Sequence, residues 1–205
     1  RGSFIRVFLA DFNGDGRPEA VAPNKGEQNP DVDTPAVNAI SIFEVRGDAL
    51  DADAWVEHEL GRCRIPINSV PVDLDGDGDL DVVGGSRGEN RIFWFENTGD
   101  GDFTFREHPI DVGEVGSQGF NMAFHDLNAD GRLDIVLATT VGLAWYEQPD
   151  DFAKRWPVHV IGDTGPDISA GIASADIDGD DDIDIITGGY SRGPRDRDGD
   201  VGRDT

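Results

Sequence analysis

The sequence predicts an all-β fold, a β-propeller of four-stranded antiparallel blades, with about three and a half blades in these 205 residues. Three observations predict it. An acidic nine-residue stretch recurs four times, as "DFNGDGRPE" from Asp11, "DLDGDGDLD" from Asp73, "DLNADGRLD" from Asp126 and "DIDGDDDID" from Asp176. The copies stand 62, 53 and 50 residues apart, a period that suits a four-stranded blade and not a helical solenoid. Short apolar runs flank every copy, and no useful length of helical periodicity occurs.

Each unit can be justified strand by strand. "FIRVFLA", "SVPV", "FNMAFH" and "GIASA" precede the acidic stretches, and "AVAP", "VVGG", "IVLAT" and "IITGG" follow them. An aromatic run ending in Glu comes third ("ISIFE", "IFWFE", "LAWYE"), and "WVEHEL", "FREHPI" and "WPVHVI" come fourth. Branched and aromatic residues bounded by Gly, Asp and Asn read as strands joined by turns. The units fall at about 4–61, 68–112, 119–162 and a partial 170–190, followed by an acidic Gly/Arg/Asp tail over 191–205 that is expected to be disordered. A degenerate acidic cluster, Asp196 to Asp204, belongs to that tail. A propeller hides its strand edges by closing into a ring. The fourth unit has only two strands and ten residues precede the first acidic loop, so the expected whole is a ring of near seven blades, the rest lying outside this chain.

Bulk composition excludes several partners. The formal net charge is −25, which argues against nucleic acid and anionic membrane surfaces. No apolar run approaches bilayer length, so membrane insertion is not expected. No signal peptide is visible and the chain begins at Arg1, as a processed, trimmed or partial chain would. Cys63 stands alone, so no internal disulfide can form. Removing the 17 carboxylates of the four acidic stretches leaves 25 acids against 17 bases, and only Lys25 and Lys154 are lysines. Adaptation to high salt and compositional drift in a GC-rich genome explain that bias equally well.

Crowded carboxylates repel, by roughly 3 kcal/mol per pair at 5 Å and an effective dielectric near 20. A hard divalent cation reverses the sign. Calcium takes six to eight oxygens at about 2.3–2.6 Å in flexible geometry. Side chains at positions 1, 3 and 5 of a tight loop can converge on one point, with a main-chain carbonyl from position 7 and a carboxylate from position 9. Gly at position 6 supplies a positive φ, and the apolar position 8 turns into the sheet as an anchor. Position 12 is Ala22, Gly84, Leu137 and Thr187, so these are not EF-hands, which need Glu there. His/Cys clusters at zinc spacing are absent. Magnesium remains open but prefers fewer protein ligands, and solvated acidic turns are the bland alternative.

These four D-x-[DN]-x-D-G-x-x-D loops resemble the FG-GAP/VCBS repeats of integrin α-subunit propellers and of many bacterial and archaeal secreted proteins. "WYE" with "WPVHVI" (Trp145–Glu147, Trp156–Ile161) resembles the microbial VCBS-type subset. The resemblance covers residues 4 to 190 and implies up to four calcium ions, one per loop. Its ligands are Asp11, Asn13, Asp15, Arg17 (carbonyl) and Glu19 in loop one, and Asp73, Asp75, Asp77, Asp79 (carbonyl) and Asp81 in loop two. Loop three offers Asp126, Asn128, Asp130, Arg132 (carbonyl) and Asp134, and loop four Asp176, Asp178, Asp180, Asp182 (carbonyl) and Asp184. Loops two and four carry four ligand carboxylates against three in the others, so tighter binding is expected there. Glu19 and Pro18 depart from the pattern in loop one, and Asp181 stands where Gly is usual. Ala129 replaces Gly at position 4, with no harm expected.

His58, His108 and His159 repeat at one blade position, as do Glu44, Glu96 and Glu147, which marks both sets as structural. His125 breaks the pattern on an innermost strand, where a channel-facing acid or base could sit. Arg87 and Arg192 lie on loops after the second strand and could meet an anionic sugar, although solvated loop arginines are the plainer account. Trp94, Phe95, Trp145 and Tyr146 follow a core pattern. No nucleophile elbow, phosphate loop or dinucleotide fingerprint occurs. The expected function is a secreted or cell-surface calcium-binding propeller for adhesion or for a protein or glycan ligand, with no catalytic residue assigned. The alternative is the propeller portion of a carbohydrate lyase or dehydratase.

Overall fold

The computed structural model describes residues 2–99, 101–163, 168–180 and 182–190. The tail over 191–205, Arg192 and Asp181 lie outside the described residues. Strands β1 (Phe8–Ala10), β2 (Glu19–Pro23), β3 (Val37–Val45) and β4 (Trp55–Arg64) form an antiparallel sheet in chain order. The second sheet repeats the order with β5 (Pro66–Val72), β6 (Asp81–Ser86), β7 (Arg91–Asn97) and β8 (Phe105–Pro109). The third contains β9 (Met122–His125), β10 (Asp134–Thr139), β11 (Gly142–Tyr146) and β12 (Val158–Gly162). β13 (Ile168–Ala175) and β14 (Asp184–Tyr190) pair as a two-stranded sheet. These are propeller blades: three with four strands and one with two among the described residues. The only helical element there is a 3-10 turn, Ala52–Ala54, and no helix is long and apolar enough to cross a membrane.

Alternation along the strands builds the core. Successive side chains of a strand face opposite ways. In β7, Phe93 and Phe95 enter one cluster, with Phe12, Val21, Ile40, Ile42, Cys63 and Val82. Ile92 and Trp94 enter the other, with Leu74, Val83, Ile110, Ile135, Tyr146 and Trp156. The second blade is therefore buried on both faces, one against the first blade and one against the third. This is why its strands read as continuous apolar runs and not as half-polar ones. Each such large side chain taken out of water contributes about 1.5–3 kcal/mol. The seams leave no room at Gly84 and Gly85, where an added Cβ would lie 2.4 Å from the Phe93 ring and 2.4 Å from the Gln118 carbonyl oxygen.

Every acidic stretch joins the first strand of its blade to the second. The four loops thus share one end of the strands, and the hairpins from second to third strand share the other.

Candidate functional site

Each loop is a ladder of side-chain-to-backbone turns. Position 1 accepts from the loop's own amides: Asp11 from Gly14 (2.8 Å) and Gly16 (2.8 Å), Asp73 from Gly76 (2.9 Å) and Gly78 (3.1 Å). Asp126 accepts from Asp130 (3.0 Å) and Gly131 (2.8 Å), and Asp176 from Gly179 (2.7 Å). Position 3 accepts from position 5: Asn13 from Asp15, Asp75 from Asp77, Asn128 from Asp130. Position 5 accepts from position 7: Asp15 from Arg17, Asp77 from Asp79, Asp130 from Arg132, Asp180 from Asp182. Short polar side chains favour such turns.

Positive φ is required at two positions, not one. Position 6 is left-handed at Gly16, Gly78 and Gly131, with φ of 83°, 100° and 87°. Position 4 is left-handed as well, at Gly14, Gly76 and Gly179 and at Ala129, whose φ is 58°. Ala129 is therefore strained, contrary to the expectation that it replaces Gly harmlessly, because its Cβ crowds the backbone in this region.

Position 9 is the structural keystone. Glu19, Asp81 and Asp134 are buried. Each accepts the amide of its loop's position 2: Phe12 to Glu19 (3.0 Å), Leu74 to Asp81 (3.0 Å) and Leu127 to Asp134 (3.0 Å), with Ile177 to Asp184 (2.9 Å) in loop four. The second oxygen of Asp81 accepts from Asn97 N at 2.8 Å, and that of Asp134 from Gln148 N at 2.9 Å. Burial raises the Asp81 carboxyl to about 7 and also raises those of Glu19, Asp134 and the position-3 Asp75. In loops one and two position 2 is the deeper anchor, with Phe12 and Leu74 in the core while Leu80 only borders it and Pro18 is exposed. In loop three Leu133 at position 8 packs against the core as expected, and in loop four Ile183 at position 8 is half-buried while Ile177 at position 2 is exposed.

Oxygens of Asp73, Asp75 and Asp81 lie within 4.8 Å of one another, as do those of Asp176, Asp178 and Asp180. One calcium ion with ligands at 2.3–2.6 Å can span oxygens up to about 5.2 Å apart, so both groups fit a single ion. No ion pair ties a loop-two carboxylate to a cationic side chain among the described residues. The oxygens of Asp81 retain lone pairs beyond their amide bonds. Asp77, Asp184 and the three acids of loop one or of loop three do not gather to that distance. In loop three Asp130 is occupied by the Arg132 guanidinium and by Asn128 Nδ2 (3.0 Å). The position-7 residues are exposed at Arg17 and Asp182 and half-buried at Asp79 and Arg132. The donor set is all oxygen, which suits a hard cation, and loops two and four fit it best.

The repeated Glu and His residues pair across the two outer strands: Glu44 with His58 at 2.8 Å, Glu96 with His108 at 2.7 Å, Glu147 with His159 at 2.7 Å. The His ring stacks on Trp94 or Trp145 in the second and third blades and on Phe103 in the first. These are structural clips. Cys63 is buried, which pushes its thiol up to about 12 and leaves it unreactive. His125 ends β9, half-buried opposite Asp134. Arg87 is exposed at the other end of the strands, on a cleft of about 990 Å³ that also takes in Gln118 and Phe120.

Asn97 and Gln148 were not legible as site residues. Both follow the Glu of the aromatic strand, where the first unit has Val45, and both are buried. Two amides at one repeat position were the available signal.

Residues 73–137 and 126–187 match the family described as FG-GAP-like repeat. No curated protein matches the chain. The matched spans run from residue 73 to residue 187, more than half of the 205 residues, and each brings an acidic loop together with the strands that flank it. The chain belongs to the FG-GAP-like repeat family.

Proposed function

We propose that this propeller binds calcium in its acidic loops and serves, outside the cell or on its surface, as a recognition module for a protein or glycan. One observation carries the reading: acidic oxygens of loops two and four each gather within reach of one ion. Calcium at extracellular millimolar levels would keep even weak loops filled. Loops one and three offer fewer carboxylates and bind more weakly in this reading. The cleft at the opposite end, with the exposed Arg87, Gln118 and Phe120, is a surface where a sugar acid could be held, its carboxylate on the arginine.

Calorimetric melting of the chelated and calcium-saturated chain is the test. An ion bound only by the folded state at a hundred times its dissociation constant adds about 2.7 kcal/mol per site. The melting temperature should rise on calcium addition and fall back with chelator; identical melts sink the reading. A glycan array tests the recognition half. The alternative, a lyase or dehydratase, rests on His125 alone and is decided by assaying uronic-acid polymers for an unsaturated product.

A further inference from the structure

The loops are joined to one another by buried peptide hydrogen bonds. Phe12 N donates to Glu19 of loop one, and the Phe12 carbonyl accepts from Asn97 Nδ2 at 3.1 Å. Asn97 N donates to Asp81 of loop two at 2.8 Å, and the other Asp81 oxygen accepts from Leu74 N at 3.0 Å. The Leu74 carbonyl accepts from Gln148 Nε2 at 2.7 Å, and Gln148 N donates to Asp134 of loop three at 2.9 Å. Arg132 of loop three closes on the Gln148 carbonyl at 3.0 Å. One uninterrupted relay therefore runs through three loops, changing blade at each amide side chain.

We propose that Asn97 and Gln148 are positioning residues that couple calcium binding between successive loops, loop one to loop two through Asn97 and loop two to loop three through Gln148. The proposal rests on the calcium reading above. Both amides are buried, so neither end can shift without leaving a polar group unpaired at about 1–3 kcal/mol. An ion held by Asp73, Asp75 and Asp81 fixes the Asp81 carboxylate, and with it Asn97 N and the Leu74 peptide. Those same groups hold the Phe12 carbonyl of loop one and Gln148 at loop three. The first ion thus bears the ordering cost of groups its neighbours share, and the later ions bind more tightly. Loop four has no such amide partner among the described residues and stands outside the relay.

Amide spectra of the full 15N-labelled chain titrated with calcium chloride test this. Gly16, Gly78 and Gly131 N–H groups report loops one, two and three. Asp75→Asn weakens loop two at an exposed residue of the ion-holding group and should raise the calcium midpoints of both Gly16 and Gly131 by about fivefold or more. Asp180→Asn, which weakens loop four, should leave those two midpoints unshifted. In a Gln148→Met background, Asp75→Asn should still move Gly16 but no longer Gly131. If Asp75→Asn moves neither, or if Asp75→Asn and Asp180→Asn move both alike, the coupling is overturned whether or not Gln148→Met folds. Independent but real calcium shifts in the wild type would overturn the coupling alone. No shift at Gly78 would overturn the calcium reading and the coupling together.

Discussion

Asp81 and Asp75 belong to one loop and hold different offices. Asp81 is buried with both oxygens on backbone amides, whereas Asp75 is exposed and accepts from Asp77 N. Asp81→Ala orphans two buried N–H groups and should cost about 2–5 kcal/mol by urea melting even in chelator. Asp75→Ala should cost under about 1 kcal/mol in chelator and appear mainly as a lost calcium response. Ala129→Gly should stabilise the chain by about 1 kcal/mol in either buffer, because Ala129 sits at a φ of 58°. Positions 1, 3 and 5 were legible because local turns leave a local pattern. The double acceptance by Asp81 was not, because its second donor lies sixteen residues away across a hairpin.

At the scale of elements, the Glu–His clip fastens the third strand of a blade to the fourth. The pairs are partly solvated, so screening limits each to about 0.5–1 kcal/mol, with ring stacking adding a similar amount. His108→Ala should therefore destabilise by about 1–2 kcal/mol, and His159→Ala by less, since the His159 side chain is 44% exposed against 29% for His108. Chemical melts of the two variants check the order. The strands and their sequence were legible from apolar runs and turn residues, and the clip from its repetition. Which strand face meets which neighbour was not: the alternation of Ile92, Phe93, Trp94 and Phe95 is invisible when all four are apolar. Position 8 was expected as the anchor because it is apolar. Position 2 is equally apolar and lies deeper only in loops one and two, where Phe12 and Leu74 are covered by the following blade. In loops three and four position 8 holds Leu133 and Ile183 at least as deep.

Over the whole molecule, burial is uneven. Leu9, before the first loop, is 67% exposed, and Ile186, on β14, is 54% exposed. Ile177 holds the position where Phe12 and Leu74 are buried by a following blade, yet it is 56% exposed. Large exposed apolar residues at both ends of the blade series form surfaces suited to association. Sedimentation should accordingly show concentration-dependent self-association of this chain, reduced by Ile177→Lys with Ile186→Lys; a monomer at every concentration would count against it. The number of blades was readable as a period.

The division of β7 between two cores carries one more consequence. Even-numbered side chains belong to one joint and odd-numbered ones to the other, so a single substitution in that strand slackens one joint while the next stays tight. Wear in such a molecule is compartmental: it should come apart like a string of rivets rather than a sheet of glue, losing neighbours in turn.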